Sequence, residues 1–166
     1  MKPNSLIFTI ATEIDASPET VWRVLTDLPR YPEWNPFIRN ACGSLAVGGT
    51  VRVRVRPMIQ IPLVFHARIL RREDNRALVW RGSVGGEWLA AGEHSFLIEP
   101  IDDGRVRFVQ HEELVGLVPR FTAKLLAREV EHGFAAMNRE LAARCQRIEQ
   151  AERATLAGSP APHATA

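Results

Sequence analysis

Residues 119–153 read PRFTAKLLAREVEHGFAAMNRELAARCQRIEQAER. Within them Phe121, Leu125, Val130, Phe134, Met137, Leu141, Cys145 and Ile148 recur at steps of three to five. That spacing draws one apolar stripe along a helix, with charged residues on the remaining faces. A helix of about 35 residues spans roughly 50 Å, longer than one small domain needs, so its end protrudes or frays. Gly133 sits inside the stripe at a cost of about 1 kcal/mol against alanine. Close approach of the helix to a sheet explains a glycine there.

Before this stretch the period is two. Val106 to Val118 reads as a strand, joined through the hairpin Asp102-Asp103-Gly104 to another from Trp88 to Ile101. Gly85-Gly86 closes a hairpin on Ala77 to Val84, and Glu73-Asp74-Asn75 turns back to Leu63 to Leu70. Val51, Val53 and Val55 alternate with Arg52, Arg54 and Arg56, one dry face and one wet. Gly92, inside a strand, reads as a bulge that lets the sheet curl. Leu6 to Ile14 is a first, half-buried strand. Ser17-Pro18-Glu19 then starts a helix, with Ser17 as N-cap and Pro18 at the first turn. Pro29 ends it, and a second short turn from Arg30 to Asn35 is closed by Pro36.

The expected fold is α+β: a curved antiparallel sheet of about seven strands wrapped around a long C-terminal helix, with two short helices after the first strand. Residues 1–155 form one domain. Residues 156–166 bury too little to order themselves and read as a disordered tail. A helix covers a strip about 10 Å wide, whereas each strand adds about 4.8 Å of sheet. A pocket beside the helix is a geometric consequence.

The chain has 166 residues and a formal charge of +2, too small to advertise nucleic-acid binding. No apolar run approaches the roughly 20 residues of a membrane helix, so stable membrane insertion is not expected. Met1 to Ala16 lacks the form of a signal peptide. Cys42 and Cys145 match no metal or redox spacing and read as reduced thiols of a cytoplasmic protein. The five histidines, His66, His94, His111, His132 and His163, show no metal-ligand spacing. No nucleophile elbow, phosphate loop or dinucleotide fingerprint occurs. No cofactor and no metal are expected, and the chain is read as a monomer or homodimer.

Three stretches carry a resemblance. They are Ile14-Asp15-Ala16-Ser17-Pro18-Glu19-Thr20-Val21-Trp22, then Leu25-Thr26-Asp27-Leu28, then Tyr31-Pro32-Glu33-Trp34-Asn35-Pro36-Phe37. Together they resemble the opening of the START-like superfamily, and more narrowly its polyketide cyclase/dehydrase and lipid-transport group, often called SRPBCC. Trp80-Arg81-Gly82, Gly92-Glu93-His94-Ser95-Phe96 and Gly133-Phe134-Ala135-Ala136-Met137-Asn138 are also similar to bacterial members. The resemblance spans nearly all of residues 6–150 and implies a helix-grip fold with a ligand cavity under the long helix. The superfamily includes lipid carriers, plant hormone receptors, cyclases and co-chaperone domains, so the resemblance implies no one reaction and transfers no catalytic residue.

The residues themselves offer candidates. Counting back from the Asp102–Gly104 turn, with Gly104 left-handed and Ile101 opposite Arg105, puts Ile98 across from Phe108, Phe96 across from Gln110, and His94 across from Glu112. Phe96, Ile98, Val106 and Phe108 mark the dry face, and His94, Gln110 and Glu112 share its parity. His94 and Glu112 read either as an acid/base pair or as a satisfied buried polar cluster. Candidates for the wall of a ligand site are Trp34, Val53, Val55, Phe65, Trp80, Trp88, Phe96, Phe108, Gln110, Phe134 and Met137, each of which also suits core packing. Met58, Ile59, Ile61 and Leu63, punctuated by Pro57 and Pro62, read as a lid or as packing against the helix. Arg52, Arg54 and Arg56 read as a solvated face or as a surface for an acidic partner or a membrane. Three functions stay open. The first is binding of a small hydrophobic or aromatic molecule, lipid-like or polyketide-like. The second is a cyclase/dehydrase using His94 and Glu112, and the third is a co-chaperone-like interaction domain.

Overall fold

The computed structural model describes residues 5–56 and 62–157. Strand β1, Leu6–Ile14, leads through Ser17 into helix α1, Pro18–Thr26. The Ser17 hydroxyl accepts from the Thr20 amide at 3.3 Å, and Pro18 occupies the first turn where no amide partner is needed. A 3₁₀ turn, Leu28–Arg30, and helix α2, Tyr31–Trp34, follow. The Asn35 carboxamide oxygen then accepts from the amides of Phe37 and Ile38, at 3.0 and 2.8 Å, and launches strand β2, Ile38–Gly43.

Five more strands form a meander: β3, Thr50–Val55; β4, Leu63–Glu73; β5, Ala77–Val84; β6, Ala90–Asp102; and β7, Arg105–Val115. All neighbours are antiparallel, in the order β1-β7-β6-β5-β4-β3-β2. Among the described residues β1 with β7 is the one non-sequential pairing, so α1 and α2 carry the chain across the sheet from one edge strand to the other. Helix α3, Leu117–Ala157, then lies across the concave face. The expected helix-grip fold is the observed one.

Several local expectations are corrected. Gly104 is not left-handed, and Asp102, not Ile101, pairs with Arg105. An irregularity between Pro100 and Asp102 absorbs the extra residue, so the register beyond it is unchanged: Ile98 opposes Phe108, Phe96 opposes Gln110, and His94 opposes Glu112. No bulge lies at Gly92, which pairs regularly with Gly82 and Leu114. Helix α3 starts two residues before Pro119 and bends at Thr122, whose backbone is non-helical (φ −113°, ψ 16°). The Thr122 hydroxyl donates back to the Val118 carbonyl at 2.7 Å, a bond that commonly bends helices. Phe121 therefore faces solvent rather than the core. The tail expected from residue 156 lies outside the described residues except for Leu156 and Ala157, which end α3.

The concave face divides along α3. Below the C-terminal half, Phe96, Ile98, Phe108, Met137, Leu141 and Cys145 pack with Trp22, Tyr31 and Trp34 into a solid core. The division between core and open half is marked by a buried polar clamp. Gln110 donates to the Asn138 carboxamide at 2.6 Å, and Asn138 donates to the Thr12 hydroxyl at 3.1 Å. These bonds tie α3 to β7 and β1 where burial makes them count most. Gly133, one turn earlier, lies against the Phe37 ring, where a Cβ would come within 2.6 Å of a ring carbon. The close approach expected at Gly133 is therefore with the segment entering β2 rather than with the sheet itself.

Candidate functional site

Above the clamp the same face is not filled. A cavity of about 440 Å³ lies between the sheet and the N-terminal half of α3, within the usual range for a small-molecule site. The side-chain periodicity explains where it lies. On β6 the inward positions shrink from Phe96 and Ile98 to Ala90 and Gly92, and on β5 Trp80 gives way to Gly82. Gly82 and Gly92 are directly paired. A Cβ at Gly82 would strike the Phe65 ring, and one at Gly92 would strike a Glu112 carboxylate oxygen. The two glycines thus seat two cavity-lining side chains.

His94 and Glu112 meet in this wall. His94 Nδ1 lies 2.9 Å from Glu112 Oε2, with His94 only 6% and Glu112 8% exposed. The imidazole is held flat by its neighbours. It stacks on Phe96 at 4.1 Å, tilts against Phe134 at 4.7 Å, and meets Trp80 edge-on at 5.9 Å. Its other nitrogen, Nε2, is buried and has no hydrogen-bond partner among the described residues. Most buried polar atoms are paired, so an orphan at a cavity wall needs a reason. In the neutral tautomer Nε2 accepts; in the imidazolium it donates.

Of the candidate residues, Val53, Val55, Phe65, Trp80, His94, Glu112 and Phe134 line the cavity. Trp34, Phe96, Phe108, Gln110 and Met137 are buried but lie in the core or the clamp. Trp88 sits in the turn between β5 and β6 and is 67% exposed, because its strand begins two residues later than expected. Met58, Ile59 and Ile61 of the expected lid lie outside the described residues, while Leu63 lines the cavity. Sequence reasoning missed Phe37, Leu114, Leu126 and Val130, which also line it. The parity that placed Glu112 inward also selects Leu114. The helix stripe that selected Phe134 also contains Val130.

Among the described residues no three His, Cys, Asp or Glu side chains converge as metal ligands. No helix among them is long and apolar enough to cross a membrane.

A seven-stranded antiparallel sheet gripping one helix, with a largely apolar chamber between them, defines the class of helix-grip domains. Within that class the chain belongs to the family described as polyketide cyclase / dehydrase and lipid transport, whose model matches residues 5–146. Similar solved structures agree in fold. The Zhui aromatase/cyclase from Streptomyces sp. R1128 superposes with a TM-score of 0.74 at 16% identity, covering 87% of this chain and 95% of that one. A START superfamily protein from Mycobacterium smegmatis gives 0.71 at 18% identity, covering 86% and 98%. A norcoclaurine synthase point mutant from Thalictrum flavum gives 0.67 at 13%, covering 88% and 97%. No curated protein sequence matches the chain.

Proposed function

We propose that the cavity binds a small, predominantly apolar molecule, lipid-like or polyketide-like, that brings one hydroxyl or carbonyl group to His94 Nε2. The observation that carries this reading is His94, which lines a largely apolar chamber and whose buried Nε2 has no hydrogen-bond partner among the described residues. Apolar walls supply affinity without direction, whereas one buried polar atom fixes which end of the ligand enters first. The Phe96, Phe134 and Trp80 rings and the Glu112 carboxylate set the imidazole before any ligand arrives. Less ordering is then required on binding.

A second reading rests on the same pair. A histidine whose far nitrogen is held by a carboxylate is arranged to move protons. On a β-hydroxy ketone, Nε2 would take the proton α to the carbonyl and return it to the departing hydroxyl. Water leaves, a carbon–carbon double bond forms, and no oxidant is needed. Glu112 would hold the imidazole's orientation and stabilise its transient positive charge. The cyclase/dehydrase family description favours this chemistry as an alternative to simple carriage.

Native mass spectrometry of protein purified from its own host, set beside the denatured spectrum, tests the binding reading. An apolar molecule of a few hundred daltons, lost on denaturation, is the expected result. An empty spectrum together with failure to take up added 1-naphthol at its solubility limit would overturn it.

A further inference from the structure

The first turns of α3 carry a pattern that the cavity does not use. Residues 117–128 contain Arg120, Lys124 and Arg128 and no carboxylate. All three cations are exposed, and none is in an ion pair among the described residues. Further along the same helix Arg139 and Arg147 are likewise in no ion pair among the described residues, but two arginines are paired. Arg144 reaches Glu33 at 2.8 Å and Arg153 reaches Glu149 at 3.9 Å. The same segment also exposes the apolar side chains Leu117, Phe121 and Leu125 on either side of the bend at Thr122. Phe121 is 79% exposed and Leu125 50%. The Arg120 guanidinium sits 6.0 Å from the centre of the Phe121 ring.

Trp88 extends this surface. Its carbonyl accepts from the Leu117 amide at 3.1 Å, and the Leu89 carbonyl accepts from Val118 at 2.9 Å, so the β5–β6 turn and the start of α3 are locked side by side. Leu89, Val118 and Leu125 also line the cavity. The exposed apolar groups are therefore the rim of the chamber's mouth. Exposed aromatic and aliphatic side chains flanked by uncompensated cations are the composition of helices that lie in a bilayer interface. Tryptophan is enriched at that depth. The ring of Phe121 is a projecting knob rather than part of a flat face, which suits a fluid surface that closes around it. A ligand poorly soluble in water also needs an apolar route into the cavity, and this rim borders one.

We propose that this rim docks reversibly on an anionic lipid bilayer. Phe121 and Trp88 enter the acyl boundary, and Arg120, Lys124 and Arg128 meet the anionic headgroups. The proposal goes beyond ligand binding and is tested without a ligand, so failure of one leaves the other standing.

The test is flotation of the full chain with vesicles of phosphatidylcholine alone and of about three parts phosphatidylcholine to one part phosphatidylserine, with brominated acyl chains in a parallel set. Wild type should float with the anionic vesicles, and brominated chains should quench its tryptophan emission. Each basic residue near an anionic surface is worth about fivefold, so replacing Arg120, Lys124 and Arg128 together by glutamine should cut partitioning about 100-fold. Phe121→Ser should cut it about tenfold or more. None of these four side chains lines the cavity, so circular dichroism and uptake of 1-naphthol should be unchanged. No flotation of wild type, equal flotation with neutral vesicles, or indifference to both variants would overturn the proposal. Self-association abolished by Phe121→Ser, without flotation, would instead make the rim a contact between copies.

Discussion

Replacing Gly92 by alanine should disturb the site through a single methyl group. Gly92 lies between β5 and β7 with regular pairing and an ordinary φ, so backbone conformation is not what alanine would violate. Space is. Its Cβ would collide with Glu112 Oε1 and lie 2.6 Å from Leu114 Cδ2. Leu114 can yield by rotating into the cavity it lines, but the carboxylate can yield only by leaving His94 Nδ1, 2.9 Å away. Pulling the carboxylate off that buried contact leaves polar groups unpaired, at about 1–3 kcal/mol, and residual overpacking adds about 1 kcal/mol. The sum, about 3 kcal/mol, lowers the melting temperature by about 6–12 °C for a domain of this size. A double-mutant cycle with Glu112→Ala isolates the cause. In that background only the Leu114 clash remains, so Gly92→Ala should cost about 1 kcal/mol, a coupling of about 2 kcal/mol. Calorimetric melts of the four proteins measure it. A Gly92→Ala penalty of the same size in both backgrounds would refute the claim that this glycine exists to seat the carboxylate.

Gly133→Ala should gain about 1 kcal/mol of helix propensity but force the Phe37 ring, edge-to-face with Phe134 at 5.8 Å, toward the cavity. Overpacking of about 1–3 kcal/mol outweighs the gain, so melting should fall and naphthol uptake weaken. Burial pushes the Cys145 thiol up to about 12, whereas Cys42 is exposed. Ellman's reagent at pH 8 should therefore titrate one thiol in the folded protein and two after denaturation. The Glu149 carboxyl is held below its ordinary range chiefly because the Ser17 hydroxyl and amide donate to it, at 2.7 and 3.0 Å. A depressed folded value contributes stability above the unfolded value that fades as pH falls through the folded one. Glu149→Gln should thus cost about 1 kcal/mol near neutrality, with the gap closing below about pH 4 in urea melts across pH.

The fold was legible because a period of two dominates residues 51–118 and gives way, from about Pro119, to the helical period. Where the period failed, so did the reading. Ile38–Gly43 has buried residues at Ile38 and Ala41 only, since a register shift between Ile38 and Asn40 turns an alternation of two into a step of three. No strand pattern survives in it. Trp88 was placed inside a strand because its size suits a core, whereas the left-handed Gly85 and Gly86 (φ 68° and 99°) prolong the turn past it. The opposition of His94 and Glu112 was reached from a wrong turn geometry, and the irregularity near Ile101 cancelled the error. Side-chain parity selected the concave face correctly but did not separate its two halves. Phe96 and Phe108 differ from Trp80 only in which part of α3 lies above them, a tertiary fact. Gly82 and Gly92, the residues that open the chamber, carry no side chain to announce it.

The central claim is that His94 Nε2 receives the one polar group of an apolar ligand. Calorimetric titration with 1-naphthol and with naphthalene, which differ by one hydroxyl, tests it directly in wild type and in His94→Phe. A buried polar atom left unpaired costs about 1–3 kcal/mol, so wild type should prefer naphthol by about tenfold or more, and His94→Phe should erase or reverse that preference while still taking up naphthalene. Equal affinities in wild type, or a preference that survives His94→Phe, would contradict the account.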